Sequence, residues 1–284
     1  MLRKVLRGVY HRIERSYPRL MRYRIARKLN FFGYLMTMRG LGIFNWEDLD
    51  RSGERPFIQK ILPGLLRTAE PVLLDVGAHD GEYATILAEA FPKARVVAFE
   101  AHPNTFGRLE SSTSGIELIH AAVSSESGTI ELWDYASDEG STHASTQAGV
   151  IEELWHAEGR SWTVPAVTIE GWAKDAGVDH IGLLKIDVEG AEGAVLDGAR
   201  SLIDAGAIDV IQVEFNEMNV LSRMFFRDLD QSLELYEWYR LLPVGLARMH
   251  PYEPPLHEIF AFQNLVAVRK DLLGDAPPTW ISSR

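Results

Sequence analysis

Short apolar runs alternate with helix-length amphipathic stretches through the middle of this chain, and the alternation predicts a βα-type sheet. Pro71 opens the first run, Val72 to Val76, whose length and composition suit a strand buried on both faces of a parallel sheet. Gly77 and Gly81 bracket a turn, a helix runs from about Glu82 to Phe91, and a second strand, Ala94 to Phe99, ends in Glu100. A short capped helix in AHPNTFGRLESS and a third strand, Glu117 to Val123, follow, with Ser124 closing that strand. After residue 165 the rhythm resumes with VTIEGWAKDAG, the strand IGLLKIDVEG, the helix AEGAVLDGARSLIDAG and the strand Asp209 to Phe215. The crossovers of such units are right-handed. Two late runs, Tyr239 to Val244 and Glu258 to Val268, flank a proline-rich loop and predict a hairpin on one sheet edge. Residues 41–70 read as a helical lead-in, with Trp46, Phe57, Ile58, Ile61, Leu62 and Leu65 recurring at three and four. Residues 125–165 break the pattern with Gly, Ser and Thr clusters.

Composition narrows the class. A chain of 284 residues that is 46% apolar can bury one large α/β core with room for an appendage. Cysteine is absent, which excludes a disulfide framework and any thiolate nucleophile or metal site. No apolar run is long enough to cross a bilayer, and the N-terminus lacks the compact apolar segment of a signal peptide, so the expected location is cytoplasmic. Charge is divided unevenly. The first 40 residues hold eleven Lys and Arg against Glu14 alone, a local +10 within a net charge of -11, so the remainder carries -21. Leu2, Leu6, Val9, Ile13 and Tyr17 fall at helical spacing in that basic segment, with Pro18 ending the helix or beginning another. Two readings stand: peripheral contact with an anionic membrane on its inner face, or packing on the body of the protein or on a second copy in a homo-oligomer. The acidic body opposes a polyanion, so no nucleic-acid partner is expected.

The first glycine turn carries chemistry. A dinucleotide fingerprint requires glycine at the positions of His79 and Glu82, counted from Gly77, so that pattern fails. Acids at Asp75, Asp80 and Glu82 repel a pyrophosphate and suit a cofactor with a cationic end, such as the ammonium and sulfonium of S-adenosylmethionine. Glu100, twenty-five residues after Asp75, is placed to accept both hydroxyls of a ribose.

The motifs DVGAHDG with AFEAHP, VTIEGWA, LLKIDVEGAEGAVLDGA and VIQVEFNE together resemble the FkbM family of S-adenosylmethionine-dependent methyltransferases over about residues 70–270. One departure is His79, where the family more often has a small or amide residue. The resemblance implies a class I, Rossmann-like α/β fold: a mostly parallel seven-stranded sheet with helices on both faces, plus an N-terminal helical extension. The expected division is a basic extension over 1–55 and a methyltransferase domain over 56–284, with 125–165 an irregular insertion on the substrate side. It also implies cofactor contacts at Asp75, Gly77, Ala78, His79, Gly81, Glu100, Ala101, Ala122, Ser124 and Asp187. The turn and Asp75 hold the methionine part, Glu100 the ribose, and Ala121 to Ser124 the adenine. The implied reaction is O-methylation of a sugar hydroxyl in a glycan, glycolipid or glycosylated metabolite; the alternative is a non-catalytic cofactor-binding or scaffold protein of the same fold.

An alcohol acceptor must lose its proton, and two routes remain open. A general base is one. His143 in SDEGSTHAST, Lys185 and Asp187 are the candidates, and strand alternation puts Lys185, Asp187 and Glu189 on one face. A divalent cation such as Mg2+ is the other, with Asp187, Glu214 and Asn216 as hard oxygen ligands. Trp133, Tyr135, Trp155 and Trp162 offer flat surfaces for a sugar ring or a cap over the sheet, with His250, Tyr252 and His257 on the opposite rim.

Overall fold

The computed structural model describes residues 16–135, 144–146, 156, 158–274 and 281–282. Its strands are β1 (Val72–Val76), β2 (Arg95–Glu100), β3 (Glu117–His120), β4 (Ala122–Val123), β5 (Gly128–Tyr135), β6 (Gly159–Val167), β7 (Ile181–Ile186), β8 (Ile208–Phe215), β9 (Tyr236–Leu242), β10 (Gly245–Arg248), β11 (Gln263–Arg269) and β12 (Ile281–Ser282). One sheet holds nine of them in the order β12-β10-β9-β11-β8-β7-β1-β2-β3. The neighbours from β8 to β3 run parallel, as their apolar sequences predict.

Nine strands replace the expected seven. The additions, β10 and β12, extend the β9 edge and have four and two residues, too few to show an alternating pattern. The expected late hairpin also differs in detail: β11 pairs antiparallel with β9 on one side and with β8 on the other, so the last long strand is inserted between them.

Both faces of the sheet are buried. Leu74, Val76, Val97, Phe99 and Ile186 pack into one core, while Leu73, Val96, Ala98 and Leu183, one residue out of phase, pack into the other. That two-sided burial explains why these strands read as unbroken apolar runs. Residues 128–135 and 159–167, where the sequence showed no rhythm, pair antiparallel and form with β4 a separate three-stranded sheet.

The lead-in is less helical than expected. Helical turns occupy Glu54–Pro56, Phe57–Ile61 and Leu62–Gly64, and Phe57, Ile58, Ile61, Leu62 and Leu65 are buried as predicted. Before them the chain is irregular, because Gly42, Phe44 and Gly53 take positive φ and Ile43 bridges to Gln263 at the start of β11. Trp46 is therefore not a core residue. Helix α1 (Arg24–Gly40) buries Met38 and leaves Ile25, Leu29, Phe32 and Met36, one stripe at helical spacing, exposed. The helix expected over Leu2 to Tyr17 lies, up to Arg15, outside the described residues. No helix among the described residues is long and apolar enough to cross a membrane.

Candidate active site

The carboxyl ends of the parallel strands open into a cavity of about 870 Å³. At the end of β1 the chain turns sharply. Gly77, with φ 83°, is required there: a Cβ on it would lie 1.8 Å from the Asp187 carbonyl oxygen, so the ends of β1 and β7 come into backbone contact. Gly81, also at positive φ, lets helix α2 (Glu82–Ala90) start against Leu109 of helix α3 (Pro103–Ser112), where a Cβ would sit 2.5 Å from Leu109 Cδ1.

Glu100 ends β2 and is held by two backbone donors. His79 N–H donates to Oε2 at 2.8 Å and His102 N–H to Oε1 at 2.7 Å. Burial raises the Glu100 pKa, while these two bonds oppose the rise. The positive φ of His79, 48°, turns that N–H toward Glu100, which assigns position 79 a backbone task.

Lys185 sits on β7 opposite Asp75 of β1 and Gln212 of β8. Its Nζ lies 3.0 Å from Asp187 Oδ2 and 3.4 Å from Asp75 Oδ1, and 4.8 Å from the centre of the Tyr83 ring. Burial pulls its pKa down, but the carboxylates of Asp187, Asp75 and Glu54 prevail and hold it well above the ordinary lysine range. Lys185 is an ammonium. Around it runs a buried network: Tyr83 Oη donates to Gln212 Oε1 at 2.7 Å, and Gln212 Nε2 donates to Glu54 Oε1 at 2.9 Å and to Asn264 Oδ1 at 3.0 Å.

A second group of acids lies beyond the ends of β7 and β8. Asp187, Glu189 and Glu214 bring one carboxylate oxygen each within 4.8 Å of one another. β7 ends at Ile186, and Glu189 reaches the cavity from a turn at φ 51° instead of by strand alternation. Burial, then the neighbouring Asp187 charge, push the pKa values of Glu189 and Glu214 well above the carboxylate range. Asn216 Nδ2 donates to Glu189 Oε2 at 3.1 Å and Glu214 Oε1 at 2.8 Å, and its Oδ1 accepts from Met218 N. Asn216 thus braces the acids, and Glu189 stands beside Asp187 and Glu214 as a further oxygen donor.

Of the expected cofactor residues, Gly77, Ala78, His79, Glu100, Ala101, Ala122 and Asp187 line the cavity. Asp75 is completely buried behind it, under Lys185, and Gly81 shapes the turn without lining it. Ser124 does not line it; its N–H donates to Val167 O beside the small sheet. Lys185, Glu214 and Asn216 also line the cavity, while His143 lies outside the described residues.

Among the described residues, Trp133, Trp162 and His257 do not line the cavity. Trp162 packs on His102 with ring centres 4.5 Å apart, Trp133 pairs through its backbone with Ser145, and His257 packs on Phe226. Trp155 and the Tyr135 side chain lie outside the described residues. The cavity instead has Phe44, Trp46, Phe260 and Phe262 on its wall. Periodicity places Trp46 in a helical lead-in and Phe260 and Phe262 in a late strand, but does not show that the two segments meet, which they do through the Ile43–Gln263 bridge.

A family model described as the methyltransferase FkbM domain matches residues 75–239. Among curated proteins, the chain is 24% identical over 156 residues to the 2-O-methyltransferase NoeI of Sinorhizobium fredii, covering 51% of this chain and 64% of the relative. It is 28% identical over 174 residues to the hexuronic acid methyltransferase AglP of Haloferax volcanii, covering 59% and 65%. The chain thus spans slightly less than two thirds of these relatives' length. A crystal structure of methyltransferase FkbM from Methylobacillus flagellatus KT aligns with 77% of this chain and 52% of that one at a TM-score of 0.43 and 13% identity, too loosely to place any residue.

Proposed function

This chain belongs to the methyltransferase FkbM family, and on that premise we propose that it transfers the methyl group of S-adenosylmethionine to a hydroxyl of a sugar. The observation that carries the reading is Glu100, its carboxylate fixed by His79 and His102 N–H at the wall of a cavity that also holds Asp187, Glu189 and Glu214. A volume of about 870 Å³ falls in the upper part of the usual range for ligand sites, roughly 300–1,000 Å³, which suits a nucleoside cofactor beside an acceptor.

The residues fit the cofactor by chemistry. Glu100 accepts the ribose hydroxyls, Ala101, Ala121 and Ala122 leave an apolar wall for adenine, and the turn at Gly77, closed against Asp187, sets the methionine end beside that acid. When bound, the cofactor supplies a methyl group on a sulfonium, which leaves as the neutral thioether while the acceptor oxygen forms the new C–O bond. The protein's task is alignment and proton removal. Lys185, held as an ammonium, has no lone pair for a proton and acts by positioning: it fixes Asp187 Oδ2 and leaves Oδ1 to accept the proton of the acceptor hydroxyl.

A second reading rests on the acid trio. Asp187, Glu189 and Glu214 offer the oxygen donors that a divalent cation such as Mg2+ takes, and an ion there would lower the acceptor's pKa in place of a base. Methyl transfer from labelled S-adenosylmethionine into a glycoside panel, run with and without chelator, tests both. Product in each condition supports the base, product lost with chelator and regained with Mg2+ supports the ion, and cofactor binding without product in any condition supports the scaffold alternative.

A further inference from the structure

Sheet order sets the cavity's features in a row. Glu100 ends β2, Gly77 follows β1, Asp187 follows β7, Glu214 lies on β8, and Phe262 precedes β11. Four strand spacings separate the first from the last, roughly 19 Å at about 4.8 Å each. The ribose-binding acid and the aromatic wall are therefore at opposite ends, with the carboxylates between them.

That wall is built from segments outside residues 75–239. Phe44 holds a left-handed φ of 64°, sparsely populated for an aromatic residue, and its N–H donates to Phe262 O at 2.9 Å. The strained turn presents Phe44 edge-on to Trp46, ring centres 6.0 Å apart at 87°. Arg39 stands 5.7 Å from the Trp46 ring and is itself paired with Glu47. Thus braced, Trp46 remains 58% exposed while lining the cavity. A large aromatic side chain kept in water and fixed from behind has no packing reason to stand there.

We propose that Trp46, braced by Phe44, is the platform on which the acceptor's ring stacks, and that the ring is an uncharged sugar. The inference rests on the methyl-transfer reading above and names its acceptor. The C–H face of a pyranose is apolar and weakly positive, which suits the negative face of an indole, while its hydroxyls donate to carboxylates. Glu189, Glu214 and Glu217 line the cavity between the platform and the cofactor end, and the ammonium of Lys185 is already shared by Asp75 and Asp187. A uronic acid adds a further carboxyl group to acids already crowded there, and Lys185, the only Lys or Arg among the described residues lining the cavity, is already shared.

The test uses the full chain saturated with S-adenosylhomocysteine, with methyl β-D-glucopyranoside, methyl α-L-rhamnopyranoside, methyl β-D-glucuronoside and catechol as probes in saturation-transfer NMR. At least one neutral glycoside is expected to receive saturation on its ring C–H protons, and the glucuronoside to bind at least about ten-fold more weakly. Trp46→Ala is expected to weaken the glycoside about ten-fold, Trp46→Tyr to restore part of it, and both to leave the S-adenosylhomocysteine Kd within two-fold. Undiminished glycoside binding by Trp46→Ala, preference for the glucuronoside, binding of catechol alone, or binding of no probe overturns the proposal. A wild-type protein that fails to bind S-adenosylhomocysteine overturns the methyl-transfer reading itself, and this inference with it.

Discussion

Lys185 faces Asp75 across the parallel pairing of β7 with β1, and its ammonium is divided between that buried carboxylate at 3.4 Å and Asp187 at 3.0 Å on the cavity wall. The pair joins the core of the sheet to the site. Asp75 has no exposed surface, so its charge depends on Lys185.

Removing the cation should therefore destabilise the fold. Lys185→Met leaves Asp75 buried and uncompensated, with an expected loss of about 3–5 kcal/mol in urea unfolding. Asp75→Asn in the same chain should recover most of it. Equal stability of the single and double variants would contradict the pairing.

Gly77 and Gly115 make a matched test of close approach. Both have positive φ, but a Cβ at Gly77 meets the Asp187 carbonyl at 1.8 Å, while nothing lies within 4 Å of one at Gly115. Gly115→Ala should lose about 1 kcal/mol from its backbone conformation alone. Gly77→Ala should unfold or precipitate the protein, read by circular dichroism and recovery. Similar melting temperatures for the two would remove the close contact from the account.

Glu192, on the helix after the KIDVEG turn, gives a pH signature. It is buried, with Oε1 accepting from Gly190 N and Oε2 from Asn219 Nδ2, and burial raises its pKa from 4.5 to about 7. The folded state thus holds a proton that the unfolded state releases between pH 4.5 and about 7. Its contribution is complete below that window and is lost as pH rises through it, at most about 3 kcal/mol. Urea unfolding from pH 5 to 8 should show stability falling, with a shallower fall in Glu192→Gln. An unchanged slope in that variant would assign the pH dependence elsewhere.

Local sequence exposed the part of the site proposed for the cofactor because each element of it is contiguous. Asp75, the Gly77–Gly81 turn and Glu100 belong to one βαβ unit, where strand ends and glycine spacing are visible without knowing the fold. The part proposed for the acceptor depends on partners far apart in the chain. Ile43 meets Gln263, and Gln212 meets Glu54 across 158 residues, so neither Trp46 nor Glu54 could be told from an ordinary lead-in residue. Strand alternation puts Glu189 on one face with Lys185 and Asp187, but β7 ends at Ile186 and a left-handed turn brings Glu189 to Asp187 and Glu214. In the small sheet, β5 lies beside the Gly, Ser and Thr clusters that broke the rhythm, and its partner β6 begins 24 residues after it ends, so local sequence did not show their pairing.

Asp187 separates chemistry from binding. Asp187→Asn keeps the side chain's shape and removes the proposed proton acceptor, so turnover should fall about 10²–10⁴-fold while S-adenosylhomocysteine affinity changes within a few-fold. A variant with full turnover would take Asp187 out of the proton path.

The most direct measurement is calorimetric titration of the purified protein and its Glu100→Ala variant with S-adenosylhomocysteine. The account predicts one site per chain, and a Kd about 10–100-fold weaker in the variant, the loss expected when hydrogen bonds to a charged group are removed. No binding by the wild type, or equal binding by both proteins, would contradict it.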